Sequence, residues 1–254
     1  MPISVCMISG AEAGRIARAL ESVKDWVSEI IVVLNDNVTD GTEAVAHEHG
    51  AKVFREPWKG YLAQKASATD KCTQPWIFNL DADEVVSHEL RDELLARFAK
   101  AESLNSCAAL SFPRLSEFCG RWIRHGDWYP DRLTRIWRKG QGAWSGRDPH
   151  PYVKVNGKIE KLRGNLLHFS SESITGRLGK IVHFSDEFLL QHRGDPRPGI
   201  VQLAVRPWWR FVRAYVFRLG FLDGWQGFYI ASHTSFATLV RYSKLREAIE
   251  KETE

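Results

Sequence analysis

The 254-residue sequence contains no apolar run approaching the roughly 18 to 20 residues needed to cross a bilayer, so membrane contact is expected to be peripheral. It has only four cysteines, Cys6, Cys72, Cys107 and Cys119, and no two stand at a paired spacing. That argues against a zinc site and points to reduced, mostly buried thiols in a reducing compartment. The start, Met1-Pro2-Ile3-Ser4-Val5, has neither a basic lead nor a long apolar stretch, so no secretory signal is expected and the chain reads as cytoplasmic. Neither sign of charge dominates. With 35 Lys+Arg against 31 Asp+Glu the net charge is only +4, and without a recognisable motif this argues against nucleic-acid binding. Internal repeats and low-complexity tracts are also missing.

What is present is a 44% share of hydrophobic residues, enough for one sizeable α/β domain plus a smaller appendage, and ten tryptophans. Residues 3–8 form an apolar run, and the spacing of Ile16, Ala19, Leu20 and Val23 behind it is helical. Residues 29–34 suit a buried parallel strand, and 35–41 are rich in turn formers. Asp40 and Glu43 resemble a capping box opening a short helix that Gly50 ends, and residues 51–54 read as a third strand. Two βαβ units so placed predict a parallel sheet with helices on its faces and a ligand beyond the carboxyl ends of its strands. Residues 61–72 then read as a helix, 76–80 as a buried strand, Leu90, Leu94 and Phe98 as one helical face, and 107–112 as a further strand. Residues 114–155, rich in Gly, Trp, Arg and Asp, are expected to be substrate-facing loops. Beyond Ser170 the pattern is helical, with a break at Asp195-Pro196-Arg197-Pro198-Gly199. The expected organisation is a catalytic domain over 1–170 and a helical extension over 171–254.

Asp81-Ala82-Asp83-Glu84 stands where the 76–80 strand ends. In extended backbone, positions i and i+2 share a face, so Asp81 and Asp83 can approach one ion. A hard divalent cation, Mg or Mn, held this way neutralises a departing diphosphate. An isolated acidic turn is the bland alternative; its position behind an apolar strand and two βαβ units favours the chemical reading.

Around this motif, in order, stand Ile3-Ser4-Val5-Cys6-Met7-Ile8, Glu29-Ile30-Ile31-Val32-Val33, Thr39-Asp40-Gly41-Thr42, Gln64-Lys65 and residues 76–84. Later come Arg124-His125-Gly126-Asp127-Trp128-Tyr129-Pro130-Asp131, Leu167-His168 and Gly220-Phe221-Leu222-Asp223-Gly224. Together they resemble the inverting GT-A glycosyltransferases of family 2, especially the lipopolysaccharide core-biosynthesis branch. The resemblance implies an α/β GT-A fold, a Rossmann-like nucleotide-binding sheet with flanking helices, plus a C-terminal helical extension. It implies transfer of a sugar from a nucleotide-sugar donor, a UDP-sugar first, to a saccharide or glycolipid acceptor in lipopolysaccharide or cell-envelope glycan biosynthesis.

The same resemblance assigns residues. Glu12 matches an acid of the family's first loop, or is a helix N-terminal acid favoured by the dipole. Asn35 stands where family members carry the acid that contacts uracil; its amide offers both donor and acceptor to a base edge. Lys65 meets the donor phosphates or is a solvated surface cation. His168 ligates the metal or contacts phosphate, or is a core histidine. Inverting transfer needs a base near the acceptor hydroxyl, opposite the leaving group. Asp127, Asp131, Asp148 and His150 are candidates. Asp148 is favoured, because the branch often shows a His followed by an acid where this chain reads Asp148-Pro149-His150-Pro151, and Pro151 is no base; an Asx turn before proline is the alternative. Trp122, Trp128 and Tyr129 form an acceptor platform or pack beneath a loop.

Leu203, Trp208, Phe211, Val212, Tyr215, Val216 and Leu219 share one helical stripe, with Arg206, Arg210, Arg213 and Arg218 largely off it. Such a helix packs on the catalytic domain or lies on an anionic membrane surface, here the inner face of the cytoplasmic membrane. Two rival functions stay open on sequence alone. A nucleotidyltransferase shares the sheet and metal acids, although Ser9-Gly10-Ala11-Glu12-Ala13-Gly14-Arg15 is not a Gly-rich triphosphate loop with its cation. A non-catalytic saccharide-binding adaptor on the membrane is suggested by the departures at Asn35 and Pro151.

Overall fold

The computed structural model describes residues 1–100, 104–148, 151–170 and 173–253, and the chain divides into two compact units. The first is Met1–Arg114 with Arg132–Phe169, and the second is Leu115–Asp131 with Ser170–Glu254.

In the first unit, β1 (Ile3–Ser9), β2 (Glu29–Asn35), β3 (Lys52–Glu56) and β4 (Trp76–Asn79) pair in parallel in the order β3-β2-β1-β4. The near-continuous burial of β1, β2 and β4 explains their unbroken apolar runs, since both faces of a parallel sheet are covered. Helices α1 (Ala13–Glu21), α2 (Thr42–Glu48) and α3 (Tyr61–Asp70) make the crossovers. Past β4 come β5 (Glu84–Val86), α4 (His88–Ala99) and β6 (Cys107–Phe118). Next are β7 (Arg121–Trp122), β8 (Asp131–Arg138), β9 (Gly142–Ser145), β10 (Tyr152–Val155), β11 (Lys158–Lys161) and β12 (Leu166–His168). The sheet continues β4-β8-β6-β12-β5, with β8 antiparallel to β4, β12 antiparallel to β5 and β11 beside β6. Strands β9 and β10 form a separate antiparallel pair. The stretch 114–155, expected as loops, is therefore largely strand. The burial of β8, half-exposed at its start and continuous over Arg135-Ile136-Trp137, was masked in the sequence by its three arginines and threonine.

The expected capping box at Asp40 and Glu43 does not form. Gly41 occupies the cap position with φ +92°, and Asp40 instead accepts from the Thr42 and Ala13 backbone N–H groups, joining α2 to the start of α1. Glu43 pairs with Arg55.

Glu29 anchors the opposite end of the sheet. Buried at the start of β2, it accepts from Ser4 Oγ, the Thr73 N–H at 2.8 Å, Thr73 Oγ1 at 3.0 Å and Lys52 Nζ at 3.0 Å. Burial works against its charge, but these donors outweigh it and lower the pKa from 4.5 to about 2.

The second unit contains the β6 terminus, β7, α5 (Ile174–His192), α6 (Arg206–Val212) and α7 (Gly224–Thr253), with π-helical turns at Val201–Val205 and Arg213–Phe217 on either side of α6. Leu115–Asp131, expected in the catalytic domain, belongs to this unit because Phe118 and Ile123 bury against Ile230 of α7, with Trp128 and Tyr229 packed on the cluster. Asp223, almost fully buried, accepts from the Arg124 and His125 backbone N–H groups at 3.1 and 2.7 Å and contacts His125 Nδ1 at 3.1 Å. Gly227 lets α7 pass beside Gly220, whose carbonyl oxygen lies 1.9 Å from where a Cβ at 227 would be. Asp127 accepts from Arg213 at 2.7 Å and Arg218 at 3.1 Å, with Arg210 at 3.3 Å.

Two outcomes follow. The Glu29 contribution is present above pH 4.5 and is lost as pH falls toward 2, because the folded-state pKa is the depressed one. Glu29→Gln is expected to lower urea-unfolding stability by roughly 3 kcal/mol at neutral pH, a gap that closes in acid. Asp127→Ala, which leaves three guanidiniums without their shared carboxylate, is expected to cost about 2 kcal/mol in the same measurement.

Candidate active site

Strands β1, β2 and β4 run in parallel and end along one side of the sheet, where a cleft of about 1200 Å³ opens. Glu12, Asn35, Lys65, Asp81, Asp83 and His168, all singled out from sequence, line it together. The register explains how the distant members meet. In the β5/β12 ladder His168 lies opposite Glu84, and the Phe169 N–H donates to the Asp83 carbonyl at 2.9 Å, so the ladder carries His168 to Asp83. Their side chains approach to 3.3 Å between Nε2 and Oδ2.

The two aspartates have different surroundings. Asp81 Oδ1 accepts from Lys65 Nζ at 2.6 Å, and Oδ2 accepts from Arg135 at 2.7 Å. Arg135 also donates to Glu84 Oε1 at 2.8 Å and Asn79 Oδ1 at 2.6 Å, and Lys65 donates to Asn79 at 3.2 Å. Glu84 is fully buried; its second oxygen accepts from the Asp81 N–H at 3.1 Å, and Arg114 lies 3.6 Å from the first. Burial opposes ionisation of Asp81, yet Arg135 and Lys65 prevail and hold its carboxyl far below the usual range. Burial likewise opposes the charge of Arg135, and Asp81 and Glu84 more than offset it, raising its pKa. Lys65, only 7% exposed, is a built-in member of the site rather than a solvated surface cation.

Asp83, in contrast, faces the cleft with His168. Their 3.3 Å separation is close to the ~3 Å between neighbouring ligands of a six-coordinate ion with bonds near 2.1 Å, so carboxylate and imidazole fit two positions around Mg²⁺ or Mn²⁺. Among the described residues there is no group of three or more His, Cys, Asp or Glu arranged to hold a metal ion. Asp81 is committed to its two cations, and the pair that fits an ion is Asp83 with His168.

Glu12 sits at the start of α1, its N–H donating to Thr42 Oγ1 at 2.9 Å and its side chain 2.8 Å from Arg15. Burial raises its pKa, Arg15 opposes the rise, and Asp83 adds to it. The Asn35 Oδ1 is buried and accepts no hydrogen bond among the described residues, although the residue lines the cleft.

Asp148 caps α3: its Oδ1 accepts from the Leu62 N–H at 2.7 Å, and its Oδ2 lies 2.2 Å from where a Cβ on Gly60 would be. Gly60, at φ +90°, thus supplies both the backbone conformation and the space. His150 lies outside the described residues. Asp127, Trp122, Trp128 and Tyr129 belong to the second unit. There Asp127 is bound by arginines, Trp128 packs edge-on to Phe118 at 5.6 Å with Arg177 over its ring at 4.4 Å, and Trp122 sits in β7 opposite Glu117.

Sequence reasoning missed Arg135, and also the aromatic residues that line the cleft: Trp58, Tyr61, Trp144 and Tyr152. Trp58 and Tyr61 stand edge-to-face at 4.9 Å and are about half exposed. The available signal was two large aromatics flanking Lys59-Gly60 just before a helix, a place where no core pattern calls for them.

The family model for glycosyl transferase family 2 matches residues 4–151. An uncharacterized glycosyltransferase of Rickettsia felis is 34% identical over 262 residues, covering 98% of this chain and 91% of its own. The lipopolysaccharide core biosynthesis glycosyltransferase LpsC of Rhizobium meliloti is 28% identical over 228 residues, covering 87% and 82%. Among solved structures, TarS of S. aureus in complex with UDP-GlcNAc superposes with a TM-score of 0.51 at 16% identity, covering 99% of this chain and 92% of that one, a likeness of fold. The mixed sheet, the helices on its faces and the C-terminal helical segment are those of a GT-A protein. With most of its carboxylate-lined cleft inside a stretch that the family model matches over more than half the chain, and with a relative 34% identical over nearly all of it, this protein is a member of glycosyl transferase family 2.

Proposed function

We propose that the protein transfers a sugar, with inversion, from a nucleotide-sugar donor to a saccharide or lipid-linked saccharide during lipopolysaccharide or related envelope-glycan assembly. The observation that carries this reading is the division of labour in Asp81-Ala82-Asp83: one acid neutralised by two cations, the other open to the cleft beside His168. A UDP-sugar is the first donor to test. Kinship with LpsC supports the envelope-glycan setting. A lipid-linked acceptor would be met at a membrane surface; among the described residues no helix is long and apolar enough to cross one.

Asp83 and His168 would hold a divalent cation, which when bound supplies Lewis-acid neutralisation of the diphosphate. The protein's own groups do the rest. Asp81 holds Lys65 and Arg135 at fixed positions, so positive charge meets the donor without reorganisation. Asn35 Oδ1 accepts an N–H from the base edge. The Trp58 and Tyr61 rings offer flat apolar faces to base or sugar. Asp148, oriented by the Leu62 N–H through one oxygen, takes the acceptor proton with the other.

The test is a panel of nucleotide sugars with and without Mn²⁺ or Mg²⁺, read by binding calorimetry and donor hydrolysis. Metal-dependent binding of one donor class is expected, and silence across the panel refutes the proposal. Asp83→Ala is expected to lower kcat/KM by about 100-fold or more and to remove the metal-dependent gain in donor affinity. Asp148→Asn is expected to lower kcat by about 10² to 10⁴-fold with donor affinity unchanged. If Asp148 only caps α3, the same change, which keeps the accepting oxygen, leaves both kcat and stability nearly intact.

A further inference from the structure

The second unit carries a large aromatic surface that the site does not use. Trp208 is 64% exposed, Phe217 67% and Trp225 55%, with Trp209, Phe221 and Phe228 close to half exposed. These are not scattered. Trp209 contacts Phe217 at 5.5 Å, while Phe221 and Phe228 both meet Tyr215, at 6.2 and 5.6 Å, and Phe228 meets Phe211 at 5.8 Å. Exposed rings clustered in this way on one segment mark an interaction site.

The charge beside it selects the partner. Between Asp195 and Asp223 there is no acidic residue, while Arg197, Arg206, Arg210, Arg213 and Arg218 are present. Three of these share the single carboxylate of Asp127, so that cluster keeps a surplus of two positive charges, and its arginine side chains stay 38 to 45% exposed. Exposed indole and phenyl rings on the same segment as a surplus of guanidiniums suit the boundary between acyl chains and acidic headgroups. A protein partner or a second copy would need acids to meet these arginines; Arg197 is already paired with Glu250, and the segment that carries the exposed rings supplies no acid of its own between 196 and 222.

We propose that this face, centred on Trp208, Trp209 and Phe217, seats the protein on an anionic phospholipid bilayer without crossing it. The proposal deepens the lipid-linked acceptor reading and rests on it for its purpose, but its test does not depend on turnover. The full chain is floated with vesicles of phosphatidylcholine alone or with phosphatidylglycerol, at low and high salt. Flotation with the anionic vesicles, weakened by salt, is expected, because charges beyond a Debye length of about 10 Å are screened at 0.1 M. Trp208→Ala/Trp209→Ala/Phe217→Ala is expected to reduce partitioning by about tenfold or more while melting temperature and hydrolysis of soluble donor stay unchanged. Three results overturn the proposal: no flotation with either vesicle, equal flotation of the triple variant, or a wild-type dimer by light scattering that the variant converts to monomer without vesicle binding. Flotation with no donor activity would defeat the transferase reading and leave the surface assignment standing.

Discussion

The first unit depends on the buried charge arrangement around Arg135. One guanidinium binds Asp81, Glu84 and Asn79, and Lys65 closes the circuit from α3. Ions removed from water are costly unless each has a well-placed partner, and removing one strands the others. The requirement fixes four chain segments at once: the end of β4, the turn into β5, the middle of β8 and the inner face of α3. The antiparallel register of β8 against β4, with Ile136 opposite Phe78, is what brings Arg135 beside Asn79. The cleft is thus bounded by a rigid electrostatic frame, against which Asp83 and His168 are the more open groups.

The second unit uses the same device at smaller scale. Asp127 gathers three arginines, and Asp223 gathers two backbone N–H groups and an imidazole. The two motif segments around 124–131 and 220–224 are therefore partners of one another: Gly126 N–H donates to the Arg218 carbonyl at 2.9 Å. Polar groups are satisfied inward in this way, while Trp208, Trp209, Phe217, Phe221, Trp225 and Phe228 stay exposed.

Much of this was legible in the sequence, for physical reasons. Both-face burial made β1, β2 and β4 readable as apolar runs, and the position of Asp81 and Asp83 behind one of them made the acids readable as site residues; the extended backbone expected to set both on one face is instead a turn at 82–83, so they do not share a face. Their different roles were not readable, because the difference is set by Arg135, one of three arginines in an eight-residue strand whose partner register cannot be counted from the chain. Lys65 was read as either a phosphate contact or a surface cation; only the depth of α3 against β1 and β2 decides between these. Asp40 and Glu43 fit a capping pattern by spacing, yet the left-handed Gly41 between them diverts Asp40 to α1. The 115–131 segment looked like part of the catalytic domain because sequence order hides that Phe118 and Ile123 bury against a helix more than a hundred residues on.

Gly60 and Asp148 are nearly ninety positions apart in sequence and occupy one volume: the carboxylate fills the space a side chain at 60 would need. The two positions therefore form a single constraint rather than two: any side chain at 60 would displace the carboxylate at 148 from the first turn of α3, and that turn would lose the acceptor of its Leu62 N–H.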